Sequence, residues 1–146
     1  MRSAQVAEPA VSAGCIFEYI YFARPDSRLE DRLVYETRMA MGARLAEEHP
    51  VDADVVIGVP DSATAHAGGY ASAAGIPYVE GLVKNRYVGR TFIQPDQHLR
   101  DLGANLKYNP LPEIIGGKRL IVVDEEHDSS FKQEDGLVYH LSLIHI

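Results

Sequence analysis

The stretch Ala53-Asp54-Val55-Val56-Ile57-Gly58-Val59-Pro60-Asp61-Ser62-Ala63-Thr64 decides the fold. Asp54 to Val59 is a short apolar, β-branched run bounded by polar residues, the pattern of a strand buried in a parallel sheet. Pro60-Asp61-Ser62 turns the chain, and Thr64 to Ala74 is rich in small residues that suit a helix. Gly75-Ile76-Pro77 ends that helix, and a second short strand takes in Tyr78 and Val79. Downstream, Arg119 to Val123 (RLIVV) reads as another buried strand, which ends on Asp124. Upstream, Tyr35 to Glu48 places Met39, Ala43 and Ala46 on one helical face, and Pro50 stops it. Strand, helix, strand, long loop and strand predict an α/β domain, with a mostly parallel sheet and flanking helices.

The remaining segments are less regular. Cys15 to Ala23 (CIFEYIYFA) alternates aromatic, β-branched and polar groups, which predicts an extended strand, broken by Arg24-Pro25-Asp26-Ser27. Residues 1–14 show no periodicity and read as a linker or torn edge. Lys84 to Asn109 is polar, basic and rich in turn residues. There is no internal repeat and no low-complexity tract.

Composition narrows the class of protein. With 146 residues, 46% hydrophobic and 24% charged, the chain suits one globular domain with its own core. A net charge of −7, from 14 basic and 21 acidic residues, argues against general nucleic-acid binding. It leaves room for a local basic pocket. The single cysteine, Cys15, excludes an intrachain disulfide and suits a reducing compartment. Glu8 and Pro9 interrupt any signal-peptide core, and no apolar run approaches the ~20 residues that span a bilayer. A cytoplasmic protein without membrane partners is the expectation.

Three segments carry chemistry. At Val59 to Thr64 a buried strand turns into a helix, where helix N–H groups bind anions and Asp61 and Ser62 can offer oxygens to hydrated Mg²⁺. Equally, Ser62 or Thr64 can simply cap the helix. Between Lys84 and Lys107, cations alternate with glycine and aromatics. A loop this long is often a lid, and its Arg and Lys can neutralise phosphate; a solvated surface loop has the same composition. Leu120 to Glu125 delivers adjacent acids, Asp124 and Glu125, from a strand end, a common way to hold Mg²⁺ beside a phosphate, although many strands end on a solvated acid. Cys15 alone is not a metal site; a small buried hydrophobe accounts for it as well. The histidines at 49, 66, 98, 127, 140 and 145 have no zinc-ligand spacing.

Taken together, CIFEYIYFARPDS (Cys15–Ser27), ADVVIGVPDS (Ala53–Ser62), GIPY (Gly75–Tyr78) and KNRYVGRTFIQP (Lys84–Pro95) resemble the phosphoribosyltransferase half of the glutamine amidophosphoribosyltransferases. The resemblance runs from about Cys15 to Val123 and keeps the family's order and approximate spacing. It implies a type I phosphoribosyltransferase fold. It also implies a role in purine biosynthesis: binding phosphoribosyl pyrophosphate with Mg²⁺ and displacing pyrophosphate with glutamine-derived ammonia, to give 5-phosphoribosylamine. On this resemblance Asp61, Ser62, Ala63 and Thr64 lie at the pyrophosphate, with Ser62 in contact with the metal and Asp124 at the substrate. Lys84, Tyr87, Arg90 and Ile93 belong to a loop that closes over the substrate and helps form the ammonia channel. Cys15 matches the first cysteine of members carrying an iron–sulfur cluster. The parent enzyme is expected to be a homo-oligomer.

The sequence also departs from that family. The glutaminase domain expected before Cys15 is missing. After LIVVD the family continues with a second Asp and a Ser, Arg, Gly and Thr-rich phosphate loop, whereas this chain places four acids, Asp124, Glu125, Glu126 and Asp128, around His127. That cluster would repel a phosphate, and no glycine frees backbone N–H groups before Gly136. Ile121 to His140 (IVVDEEHDSSFKQEDGLVYH) resembles instead the DEEH segment of the primosomal replication-restart helicases. Leu141 to Ile146 fits neither family and looks like translated adapter. The expectation is a partial phosphoribosyltransferase domain at 15–123 and a foreign, chimeric tail at 124–146, the whole inactive by itself and with an open sheet edge. The alternatives are a non-catalytic module that binds phosphoribosyl pyrophosphate, or a piece of an ATP-dependent DNA helicase. The latter lacks the Gly-x-x-x-x-Gly-Lys-Ser/Thr loop that such an ATPase needs upstream of DEEH.

Overall fold

The computed structural model describes residues 14–87 and 106–124, together with the backbone of 140–145. Its centre is the strand predicted at Asp54–Val59. β3 (Val55–Gly58) pairs in parallel with β6 (Arg119–Asp124), with Val55 opposite Leu120 and Gly58 opposite Val123. All four residues of β3 are buried, and alternation explains how. Val56, Ile121 and Val123 face one way, onto Leu45, Ala46, Ala67, Tyr70 and Ala71. Val55, Ile57 and Leu120 face the other way, onto Ile115. A strand covered on both faces has no polar side, so it reads as an unbroken apolar run. Each such Val or Ile contributes about 1.5–3 kcal/mol by leaving water.

The first layer is a pair of helices. α1 (Val34–Glu48) buries Val34, Arg38, Gly42, Leu45 and Ala46. Of the face expected, Ala46 is buried, whereas Met39 and Ala43 are only half-buried and Arg38 and Gly42 take the inner positions. α2 (Thr64–Ala74) runs over the predicted residues and ends at Gly75, whose φ of 69° is the left-handed cap that glycine adopts freely. The two helices meet backbone to backbone. A Cβ at Gly42 would fall on the carbonyl of His66, and one at Gly69 on the carbonyl of Met39. Small residues at both positions permit the approach.

Behind α2 the chain returns beside β3, where Tyr78 forms a single parallel bridge with Val56. The predicted second strand is therefore one residue wide. On the opposite face, α3 (Pro112–Ile115) packs under the sheet, and β4 (Leu82–Lys84) pairs antiparallel with β5 (Tyr108–Pro110). Lys84 lies opposite Tyr108, and the Asn85 N–H donates to the Lys107 carbonyl over 2.7 Å. The long basic segment thus leaves and rejoins the fold through one two-stranded ribbon.

Three expectations need correction. Cys15 to Ala23 is not a strand: Glu18–Phe22 is a π-helical turn. Its placement depends on the buried Arg38, whose Nε donates to the Tyr19 carbonyl over 2.7 Å and whose Nη2 donates to that of Ala23 over 2.9 Å. The following ARPDS turn leads into β1 (Arg28–Leu29) and β2 (Arg32–Leu33), a tight hairpin through Glu30 and Asp31, both at positive φ. The edge of β6 is not open either. β7 (His140–His145) pairs antiparallel along its whole length, Asp124 opposite His140. Finally, neither Ser62 nor Thr64 caps α2; its N-cap is Ala63, which makes no side-chain capping bond.

At the N-terminal end of the sheet, β3 and β6 are locked together. The Asp54 N–H donates to the Arg119 carbonyl over 2.9 Å, and the Arg119 N–H to the Asp54 carboxylate over 2.8 Å. The Arg119 guanidinium also spans Asp52 at 2.6 Å and Asp54 at 3.1 Å, which raises its already high pKa.

Candidate functional site

The parallel pair β3–β6 delivers both strand ends to one edge. The Val59 N–H donates to the Val123 carbonyl over 3.0 Å, so the turn after β3 begins level with Asp124. From there Val59 to Ala63 curl directly into α2, with the Ala63 N–H on the Val59 carbonyl at 3.2 Å and the Pro60–Asp61 peptide cis. Gly58 makes this tight exit sterically allowed, since a Cβ there would sit 2.9 Å from Ala67 Cβ and 3.0 Å from the Ala63 carbonyl.

A cleft of about 230 Å³ opens at this edge, and Gly58, Asp61, Thr64, Lys84 and Arg86 are among the residues that line it. Lys84 Nζ reaches across to Asp61 Oδ2 at 2.7 Å, with the lysine side chain 29% and the aspartate 73% exposed. Asp61, by hydrogen bond first and by charge, holds the Lys84 ammonium above its ordinary pKa, against the opposing effect of partial burial. Tyr78 and Glu80 complete the wall. Burial, then the nearby charge of Glu80, pushes the Tyr78 phenol up, while the Thr64 hydroxyl works against that shift. Two cations and a helix N-terminus without a side-chain cap, facing one cleft, suit a small phosphorylated anion.

Residues picked from the sequence separate into three groups. Asp61, Thr64 and Lys84 converge on the cleft. Ser62 is half-buried and Ala63 fully buried in the turn behind it, while Asp124 is half-buried at the adjacent strand end, next to the cleft rather than in its lining. Tyr87 stands wholly exposed beyond the ribbon, with its N–H on Asn85 Oδ1 at 3.0 Å. Arg90, Ile93 and Glu125 lie outside the described residues. The sequence reading did not single out Tyr78, Glu80 or Arg86. Arg86 sits in the KNRY run beside Lys84 and was legible there; nothing in the local pattern marks Glu80.

The metal and cluster expectations divide. Among the described residues, no three His, Cys, Asp or Glu side chains converge to hold a metal ion. Mg²⁺ retains several waters and takes one or two protein carboxylates plus substrate phosphates. The Ser62 hydroxyl and the Asp124 carboxylate are oxygen donors of the type such an ion takes. An iron–sulfur cluster needs four ligands, usually thiolates. Cys15 is exposed and is the sole cysteine of the chain, so these residues do not fit a cluster.

Beneath the site, between α1 and α2, lies a buried pair that the sequence did not reveal. His66 is fully buried, and its pKa is lowered to about 4, first by burial and then by the charge of Arg38. His66 is therefore neutral at physiological pH and belongs to the packing, not to the cleft.

No protein-family model matches the chain. In sequence it is similar to the amidophosphoribosyltransferase of Mycobacterium tuberculosis, 58% identical over 125 residues, which covers 86% of this chain and 24% of the relative. The Synechocystis enzyme of that name is 56% identical over 123 residues, covering 84% of this chain and 25% of the relative. That of Methanocaldococcus jannaschii is 54% identical over 114 residues, covering 78% and 24%. In structure the chain is similar to the glutamine phosphoribosylpyrophosphate amidotransferase of B. subtilis complexed with ADP and GMP. The TM-score is 0.64 at 53% identity, over 74% of this chain and 24% of that one. A structure described as the allosteric regulatory enzyme of purine biosynthesis gives a TM-score of 0.66 at 53% identity, over 76% and 24%. The chain spans about a quarter of the length of the curated relatives it matches. Over most of its own length it is a homologue of the amidophosphoribosyltransferases, with the α/β fold of their phosphoribosyltransferase part. Among the described residues no helix is long and apolar enough to cross a membrane.

Proposed function

We propose that the cleft between the Val59–Thr64 turn and β4 binds the diphosphate end of phosphoribosyl pyrophosphate, as one piece of an amidophosphoribosyltransferase site. The observation that carries this reading is the convergence of Lys84 and Arg86 on the uncapped start of α2, at the carboxyl end of a parallel strand. Anionic ligands bind at that edge of open α/β sheets because strand ends and helix N-termini point there together.

In the reaction that this site would serve, ammonia attacks the ribose C1 as the C1–O bond to pyrophosphate breaks. The nitrogen lone pair forms the new C–N bond, pyrophosphate leaves with the old bonding pair, and the nitrogen sheds a proton. Lys84 and Arg86 would stabilise the departing charge. The turn from Asp61 to Thr64 would position the diphosphate through its N–H groups, and Ser62 and Asp124, with Glu125, would meet a Mg²⁺ that the substrate brings. That ion would supply charge neutralisation of the diphosphate. Tyr87, Arg90 and Ile93 are assigned to closure over the sugar by the KNRYVGRTFI motif. In the same reading 15–123 is the phosphoribosyltransferase part, 1–14 lies outside it, and of the foreign tail at 124–146 only Asp124 and Glu125 serve the site; the chain does not turn over substrate by itself.

Calorimetric titration of the full chain with phosphoribosyl pyrophosphate and Mg²⁺ tests the assignment. Saturable binding is expected, weakened about tenfold or more by Lys84→Ala, as for loss of one charge-assisted bond. A folded chain that releases no heat of binding would sink it.

A further inference from the structure

We propose that Asp61 is a positioning residue for Lys84: its carboxylate holds the ammonium over the cleft in the free protein and gives it up when a diphosphate enters. The inference rests on the reading of the cleft given above. It starts from a contact that neither the turn nor the basic segment shows in sequence. Asp61 and Lys84 are 23 residues apart and sit on separate elements, yet their charged atoms are 2.7 Å from each other.

Three observations favour exchange over a permanent structural bond. First, the Asp61 side chain is 73% exposed, and ion pairs with one partner so open to water hold weakly. A diphosphate offers several charged oxygens to the same ammonium, so it is the stronger partner. Second, the Lys84 backbone is fixed by its place opposite Tyr108 in the β4–β5 ribbon. Only the flexible lysine stem has to turn, and no chain segment has to move. Third, the cleft holds matched charges: Lys84 and Arg86 against Asp61 and Glu80. An incoming anion gains a further cationic partner only where one of these acids gives up the cation it holds. Asp61, bonded to Lys84, is the acid whose release adds a binding group.

The test uses the full chain, with inorganic pyrophosphate as the probe at constant ionic strength. Asp61→Asn should tighten pyrophosphate binding about two- to fivefold, the range that an exposed ion pair can supply. Glu80→Gln removes one negative charge from the same cleft without touching the Lys84–Asp61 bond, and should give a smaller gain. In a Lys84→Ala background the gain from Asp61→Asn should vanish. A ligand-free measurement stands beside these: the Lys84 ammonium, titrated by NMR, should deprotonate at lower pH in Asp61→Asn than in the wild type. An equal gain from Glu80→Gln, a gain that survives Lys84→Ala, or an unmoved lysine titration would each overturn the role of Asp61. Absence of pyrophosphate binding by the wild type would instead defeat the cleft assignment, and the displacement step with it. The two failures are separable, because the lysine titration is read without ligand.

Discussion

Val55–Gly58 and Ile16–Phe22 are both short segments rich in β-branched or aromatic residues, the second interrupted by Glu18, yet they have opposite fates. All of β3 is buried, between two helices on one face and α3 on the other. In the aromatic run only Ile20 is buried, while Ile16, Phe17, Tyr21 and Phe22 stay between 47% and 67% exposed. Hydrophobic content alone does not separate the two; what does is which partners each can reach. β3 satisfies its backbone along β6, whereas the aromatic run satisfies its own internally and through one buried arginine.

The contrast should be breakable in order of how many layers a residue joins. The largest effect is expected at the helix contact that roofs β3. Gly42→Ala forces a methyl group onto the His66 carbonyl and should cost about 3 kcal/mol or more in urea unfolding, at the upper end for overpacking. A loss under about 1 kcal/mol would mean that the helices part easily. Next comes acid. His66 has its folded pKa depressed to about 4 from 6.5, so the unfolded chain binds the extra proton first. Its contribution is complete above pH 6.5 and is lost as pH falls towards 4, reaching about 3 kcal/mol. Unfolding at pH 4.5 and 7.5 measures the drop, and His66→Leu should flatten it.

Smaller and more local is Arg38→Met, which strands the carbonyls of Tyr19 and Ala23. About 2 kcal/mol is expected, along with faster amide exchange at Ala23, whose N–H donates to Glu18. If exchange at Ala23 stays unchanged, Arg38 is not what places the aromatic run. The smallest effect is predicted for Phe22→Ser, within about 0.5 kcal/mol, because that ring is 67% exposed. A cooperative loss there would erase the distinction between the two runs.

Sequence reasoning succeeded where one local rule dominated. Thr64–Ala74 combined small residues with a Gly-Ile-Pro stop, and RLIVVD left no polar face; both elements are found where they were expected. It failed on CIFEYIYFA, because residues 16, 19, 20 and 23 fit a helical face as well as the alternation fits a strand. The deciding group, Arg38, lies 15 residues or more away. Of the site, Asp61, Thr64 and Lys84 were legible as separate candidates, but their convergence depends on β4 lying against the far side of β3. Tyr78 reaches the cleft through its bridge to Val56, and Glu80 follows it without any residue pattern of its own.

The lock between Asp52, Asp54 and Arg119 stands at the opposite end of β3 and β6 from the cleft, and this gives it the role of a datum. Strands keep step only in whole residues, each about 3.3 Å long, and every step turns the side chains to the other face. A slip of one position at that far end would carry Asp124 past the turn and aim it into the opposite layer. The alignment of the two strand ends beneath the candidate site is therefore a length measured from the other side of the sheet.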